Sequence, residues 1–315
     1  MSFHLYGKEG RGTLPKFEVN QRLNDPSLYR PAPALINAVN VALNLGQPLL
    51  LTGEPGTGKT QLAYHIAWYF DLDEPLVFNA QTTSSATDLF YRYDALAHFQ
   101  YNQNNPKALS DDEIEQLFIH YQALGKAIIE QKRKVVLLDE IDKAPRDLPN
   151  DVLAAIEKLR FDVSEINKTY ETSAENRPII IMTSNSEKNL PDAFLRRVVY
   201  YHIPFPSAKT LLEIVSSKVD QYTEEELKLV VNHFNKIRTD RGLKLKKLPA
   251  TAELIFWANL LKKMEFDINQ LEDPSKLDDS AKEQLITSYS VLAKTKEDLN
   301  ALQELVVGKT RRGRR

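Results

Sequence analysis

Gly53-Glu54-Pro55-Gly56-Thr57-Gly58-Lys59-Thr60 follows the apolar run Leu49-Leu50-Leu51 and leads into Gln61-Leu62-Ala63-Tyr64-His65-Ile66-Ala67. Strand, glycine loop, helix is the context in which G-x-x-x-x-G-K-[ST] cradles phosphate. Glycines let successive backbone N–H groups turn inward on an anion, and the helix N-terminus adds its dipole at the same point. Lys59 is placed to reach the outer phosphates and Thr60 to hold Mg²⁺, with Gln61 completing the candidate nucleotide contacts. The chain has 11 Gly and three of them fall in this loop, which argues against a chance glycine turn.

Downstream, Val135-Val136-Leu137-Leu138-Asp139-Glu140 places four apolar residues before two acids. That pattern predicts a buried parallel strand ending in carboxylates. In open α/β sheets the ligand crevice lies at the carboxyl ends of the strands. Asp139 is therefore expected to face Mg²⁺, directly or through water. Glu140, one step on, is the candidate base for an attacking water. A plain strand followed by a charged turn is the alternative, and the glycine loop upstream weighs against it.

At 315 residues the chain has room for one large or two modest domains. Its 42% apolar and 27% charged content is that of a globular protein. A net charge of −2 supplies no global basic field for nucleic acid. The absence of Cys excludes disulfides and thiol ligands and fits a reducing cytoplasm. No apolar run approaches the roughly 18–20 residues that span a bilayer. The start, Met1 to Gly10, lacks an apolar signal core. The expected location is cytoplasmic, with no membrane contact.

Working outward, residues 1–30 read as an extended polar lead-in. Ala34–Leu45 has helical spacing with Gly46 as its stop. Residues 49–52 and 59–70 are the first strand and its helix, and 75–79 the second strand. Residues 81–109 are polar but carry Phe90, Tyr91, Tyr93, Phe99 and Tyr101. Five aromatics within 81–101 suggest an interaction surface centred on Phe90 and Tyr91. Leu89, Phe90, Tyr93 and Leu96 fall at helical spacing, so burial is the competing reading. Asp111–Lys132 is expected as one long helix, opened by a Ser110–Glu113 capping box. A strand at 135–139, a helix at 147–159 and a hairpin within Phe161–Tyr170 follow. Next come a buried strand at 178–185 and a short one at 200–203. Beyond Pro204-Phe205-Pro206 everything reads as helix, near 207–220, 223–238, 249–264 and 278–305. Strand–helix alternation followed by helices predicts an α/β fold: a doubly wound parallel P-loop sheet, then a smaller all-helical lid. The expected divisions are 1–30, 31–205, 206–305 and a basic tail at 306–315, with Pro204-Phe205-Pro206 a candidate hinge.

Asn185 ends the 178–185 strand, where an amide can position a water or sense the γ-phosphate; turn chemistry is the plainer use of Asn there. Leu190-Pro191-Asp192-Ala193-Phe194-Leu195-Arg196-Arg197 then brings two adjacent arginines. They are either solvated surface or a finger for a neighbouring subunit's γ-phosphate.

Glycine loop, Leu-Leu-Asp-Glu, Thr-Ser-Asn, Ala-Phe-Leu-Arg-Arg and a helical lid, in that order over about 31–265, resemble the AAA+ ATPases. Within them the chain is most similar to the MoxR group. Residues 49–60, Thr87–Leu96 and Pro191–Pro206 carry that likeness. Thr87–Leu96 falls where the group has an insert in helix two, and Phe161–Tyr170 where it has a hairpin before the sensor strand. The resemblance implies ATP and Mg²⁺ as ligands. It matches Lys59 to the phosphate-loop lysine, Thr60 and Asp139 to the Mg²⁺ residues, and Glu140 to the catalytic base. Asn185 matches the first sensor, and Arg197, with Arg196 adjacent, the trans-acting finger. It further implies a hexameric ring, a protein client to be remodelled and a separate von Willebrand A-type partner. The group's lid arginine is not matched: Glu253 stands near its place, with Lys246 or Lys247 as substitutes lacking the planar fork.

Two other functions fit the same fold. A nucleic-acid motor or loader draws only on the tail Lys309–Arg315, five basic residues in seven; such tails are commonly solvated. A nucleotide-gated signalling or defence switch with slow turnover is the second, against which Glu140 and Arg197 both stand.

Overall fold

The computed structural model describes residues 21–105, 107–186, 190–220 and 222–307. Most of the lead-in and the basic tail from residue 308 onward lie outside them. The chain forms two compact units, Tyr29–Pro204 and the segment from Phe205 onward joined by residues 21–28. The division falls within the Pro204-Phe205-Pro206 link.

The first unit is built on five parallel strands. Helix α1 (Pro33–Leu45) starts at a proline and ends at Gly46, whose φ of 59° lets its N–H return to the carbonyls of Ala42 and Leu43. Strand β1 (Leu49–Thr52), helix α2 (Lys59–Tyr69) and strand β2 (Leu76–Asn79) follow. After an excursion described below come β5 (Val135–Asp139), α6 (Leu148–Lys158), β8 (Ile179–Thr183), α7 (Asp192–Leu195) and β9 (Val199–His202). The order across the sheet is β2–β5–β8–β1–β9. Leu49 pairs with Ile181 on one side and with Val199 on the other.

The apolar runs serve two cores at once. Leu49, Leu51, Val135, Leu137 and Ile181 face α1 and α2 through Leu35, Leu62 and Ile66. Leu50, Val136, Leu138, Ile180 and Met182 face the other side, toward Ile128, Val152, Ile156 and Phe194. Helices on both faces make the sheet doubly wound, as the alternation predicts.

The excursion differs from expectation. Strand β3 (Tyr91–Tyr93) leads to α3 (Ala95–Asn104) and α4 (Asp111–Phe118). Strand β4 (Ile119–Tyr121) then returns antiparallel to β3 before α5 (Ala123–Ile129). The helix expected over Asp111–Lys132 is thus broken by a strand. Its start is as read: Ser110 and Glu113 close the capping box. Its interruption follows from Ile119-His120-Tyr121, which pairs with Tyr93, Arg92 and Tyr91. Helix α5 comes so near that a Cβ on Gly125 would sit 2.0 Å from the Phe90 carbonyl oxygen. Phe90 and Tyr91 are 7% and 5% exposed, and Phe90 stacks on Phe161 at 4.7 Å. The interaction surface expected at these two rings is core. Leu96 and Phe99 of α3 are the exposed large apolar side chains of the stretch.

Phe161 belongs to β6 (Arg160–Val163), which forms the expected hairpin with β7 (Lys168–Glu171). Asn167 takes the left-handed turn position at φ 49°. Glu115 of α4 joins hairpin to excursion, accepting from Tyr121 at 2.7 Å, from Lys168 at 2.6 Å and from the Tyr170 hydroxyl.

The second unit contains helices α8 (Ala208–Lys218), α9 (Glu224–Thr239), α10 (Thr251–Lys263), α11 (Asp279–Ser288) and α12 (Lys296–Val307). The single helix expected over 278–305 is two. Fully buried Tyr289 ends the first, and Thr295 Oγ1 accepts the Asp298 N–H at 3.1 Å to start the second. Residues 21–28 are not extended: they make two 3₁₀ turns, and Lys218 Nζ donates to the Leu23 carbonyl at 2.6 Å. Glu253 accepts the Ala250 N–H at 2.9 Å and pairs with Lys294 at 3.2 Å, which is a helix-capping use. The Lys246 and Lys247 amides donate to the buried carboxylate of Asp298 at 2.7 and 3.4 Å.

Candidate functional site

The site residues gather at the carboxyl ends of β1, β5 and β8, three neighbouring strands. Thr52 closes β1 and the loop 53–58 turns out of the sheet. Gly53 has φ 146°, and a Cβ there would meet the Ile203 carbonyl oxygen at 2.5 Å, so only glycine fits beside β9. Gly58 has φ 87° and caps α2, whose first residue is Lys59. Thr57 Oγ1 donates to the Glu54 carbonyl at 2.9 Å and closes the turn. Tyr29, which no sequence motif marks, packs its ring against Gly58.

Lys59 is 8% exposed. Its ammonium donates to the carbonyls of Gly53 at 2.8 Å and Glu54 at 3.1 Å, and to Asn185 Oδ1 at 3.0 Å. Burial lowers its pKa, while Asp139, Asp142 and Glu140 pull it back up. The cation is thus held in the loop by carbonyl dipoles and three nearby acids. Thr60 Oγ1 donates to the two oxygens of Asp139 at 3.2 and 3.3 Å. A hydroxyl and a carboxylate side by side are hard oxygen donors of the kind Mg²⁺ takes, leaving its other positions to water and phosphate. This pair fits that ion.

Glu140 leaves β5 in the left-handed region, φ 56° and ψ 46°. For a residue with a Cβ this conformation is unfavourable and persists only where the surroundings fix it. The fixing group is Thr183, at the end of β8. Its hydroxyl accepts the Glu140 N–H at 2.9 Å and donates to Asp139 Oδ1. One side chain therefore sets both acids. Sequence reasoning used Thr183 only as part of Thr-Ser-Asn and gave it no role, because a Thr in an apolar strand is ordinary. The signal available was its place two residues before Asn185, in the strand next to β5. Asn185 Nδ2 lies 3.5 Å from Glu140 Oε1, so the Asn185 amide spans lysine and acid. Lys143 Nζ pairs with Glu140 Oε2 at the surface.

Arg196 and Arg197 stand apart. Both are exposed, and among the described residues neither side chain has a hydrogen-bonding or ionic partner. They precede β9, whose first N–H bonds to the Pro48 carbonyl at 2.9 Å. They are therefore at the amino end of the sheet, about 20 Å along the strand direction from Gly53 at about 3.3 Å per residue. The structure brings Lys59, Thr60, Asp139, Glu140 and Asn185 together and leaves the two arginines outside that set.

Residues 48–198 match the family model of the AAA domain, dynein-related subfamily. That match supports an AAA+ ATPase core over those residues. No curated protein matches the chain. Among solved structures the chain is similar to RuvB of Thermotoga maritima, titled a Holliday junction branch migration motor, at 14% identity. The likeness covers 85% of this chain and 75% of that one with a TM-score of 0.41. A point variant of the same RuvB matches at 14% identity and equal coverage with a TM-score of 0.42. Among the described residues no helix is long and apolar enough to cross a membrane.

Proposed function

We propose, from an AAA domain at residues 48–198, that this chain is a Mg²⁺-dependent ATPase of the MoxR-like group. It assembles into a ring in which each site is completed by a neighbour, and it remodels a client protein with a separate von Willebrand A-type partner. The supporting observation is the hydrogen-bonded set of Lys59, Thr60, Asp139, Glu140 and Asn185 at three adjacent strand ends.

In this reading the loop N–H groups and Lys59 bind the β- and γ-phosphates, the ammonium exchanging carbonyl contacts for phosphate oxygens. Thr60 and Asp139 would hold Mg²⁺, which when bound would neutralise charge developing on the phosphates. Glu140 accepts the proton of the attacking water, and Asn185 orients that water against the γ-phosphate. Arg197, with Arg196 beside it, serves the adjacent subunit, which agrees with its having no side-chain partner among the described residues and with its distance from Gly53.

The slow-switch reading draws on one observation, the Lys143–Glu140 pair, which occupies the base. Both side chains are about half exposed, and such pairs contribute only about 0–1 kcal/mol. That is too little to silence a site, so active turnover is preferred. The test is phosphate release from Mg²⁺-ATP by wild type and Lys59→Ala, with sedimentation in the presence and absence of nucleotide. Turnover lost in the variant and nucleotide-promoted assembly support the proposal. Equal turnover in both proteins contradicts it.

A further inference from the structure

At the amino ends of β1 and β8, away from the phosphate loop, lies a cavity of about 600 Å³. Its size falls among small-ligand pockets, which run about 300–1,000 Å³. Leu43, Leu49, Ile66, Phe70, Ile179 and Ile181 line it, with Asn44 and Gln47 as neutral polar neighbours. Two guanidiniums also line it, Arg133 just before β5 and Arg177 just before β8, and no Asp or Glu does.

The arginines are underused. Arg177 Nε donates to the Gly46 carbonyl at 3.0 Å, and Arg133 donates one terminal N–H to the Glu175 carbonyl. Each guanidinium carries five donors. Among the described residues neither is paired with a carboxylate. Arg177 is half-buried, so its charge is partly desolvated against apolar neighbours, with no counter-ion among the described residues. Such a charge is costly unless an anion meets it, and the planar fork matches a carboxylate in two parallel hydrogen bonds. Apolar side chains and two cations around one cavity together select a ligand with one charged end.

We propose that this cavity binds a carboxylate carried on an apolar chain, the chemistry shared by a medium-chain fatty acid and the free C-terminus of an apolar peptide. Arg177 receives the carboxylate, Arg133 adds a second cation, and the apolar body lies between the ends of α1 and α2. The site is independent of the nucleotide reading, since its ligand contacts none of the phosphate-loop residues.

The test is calorimetry on the full chain without nucleotide. The probes are decanoate, decanol, and an apolar pentapeptide as free acid or amide. At least one acid is expected to bind about tenfold or more tightly than its neutral counterpart. Arg177→Gln is expected to weaken that binding about tenfold, and Ala42→Leu, which fills the wall, to block it. Exposed Arg133→Gln serves as the second charge variant should Arg177→Gln fold poorly. Binding of decanoate alone assigns a lipid source, and of the peptide acid alone a chain terminus. No binding of either acid, equal binding of neutral probes, or binding indifferent to both arginine variants overturns the proposal.

Discussion

Thr183 Oγ1 accepts the backbone N–H of Glu140 at 2.9 Å, tying the end of β8 to a residue held at φ 56°. The same hydroxyl donates to Asp139. Thr183→Val keeps the shape and removes both bonds, leaving a part-buried N–H unpaired at a cost of about 1 kcal/mol. If Glu140 is the base, kcat is expected to fall about tenfold or more while the KM for ATP stays within about twofold. Thr183→Ser retains the hydroxyl and is expected to recover most of the rate. A purely structural role would lower the melting temperature and leave kcat untouched.

Arg197→Ala is expected to bind ATP normally and hydrolyse it poorly. Mixing it with Lys59→Ala is expected to restore part of the turnover, because an intact finger then faces an intact pocket. Recovery is expected to rise with protein concentration, as assembly does. A mixture no more active than the sum of its parts counts against a finger supplied in trans.

The buried aromatics of the excursion make a stability prediction. Gly125→Ala puts a methyl group 2.0 Å from the Phe90 carbonyl oxygen, and overpacking of this kind costs about 1–3 kcal/mol. Phe90→Ala is expected to cost about 3–5 kcal/mol. Phe99→Ser, on exposed α3, is expected to change stability by less than about 0.5 kcal/mol. Denaturant midpoints of the three variants decide whether the excursion is core or surface.

His233 lies in the core of the helical unit, stacked near Trp257 and hydrogen-bonded to the Tyr289 hydroxyl at 2.7 Å. Burial, with Lys236 adding to it, lowers its pKa to about 4. The fold therefore holds the ring neutral, while the unfolded chain protonates near pH 6.5. Its contribution is complete above pH 6.5 and is lost as the pH falls toward 4, by up to about 3 kcal/mol. His233→Phe keeps a stacked ring, and its stability is expected to vary less with pH across that window. Parallel pH profiles in unfolding titrations of variant and wild type would remove His233 from this account.

The sheet was legible because its signals are local. Leu49–Leu51 and Val135–Leu138 are apolar throughout, which only strands covered on both faces require, and Gly53, Gly58 and Lys59 fall at fixed spacing. Asp139, Glu140 and Asn185 followed from the rule that strand ends carry the ligand. The excursion was not legible. Asp111–Lys132 has a good cap and helical spacing, and its break at Ile119–Tyr121 depends on a partner strand more than two dozen positions earlier. Phe90 and Tyr91 left surface and burial both open, because what buries them, Gly125 and Phe161, is distant in the chain. The role of Thr183 was missed for the same reason: its two bonds cross from β8 to β5.

The central claim is that Glu140 does the chemistry while the phosphate loop does the binding. Glu140→Gln keeps the size of the side chain and removes the base. Measuring ATP affinity and single-turnover hydrolysis on this one variant separates the two roles. Affinity within about threefold of wild type, with hydrolysis reduced about a hundredfold or more, is the predicted result. Hydrolysis at the wild-type rate with ATP bound would contradict it.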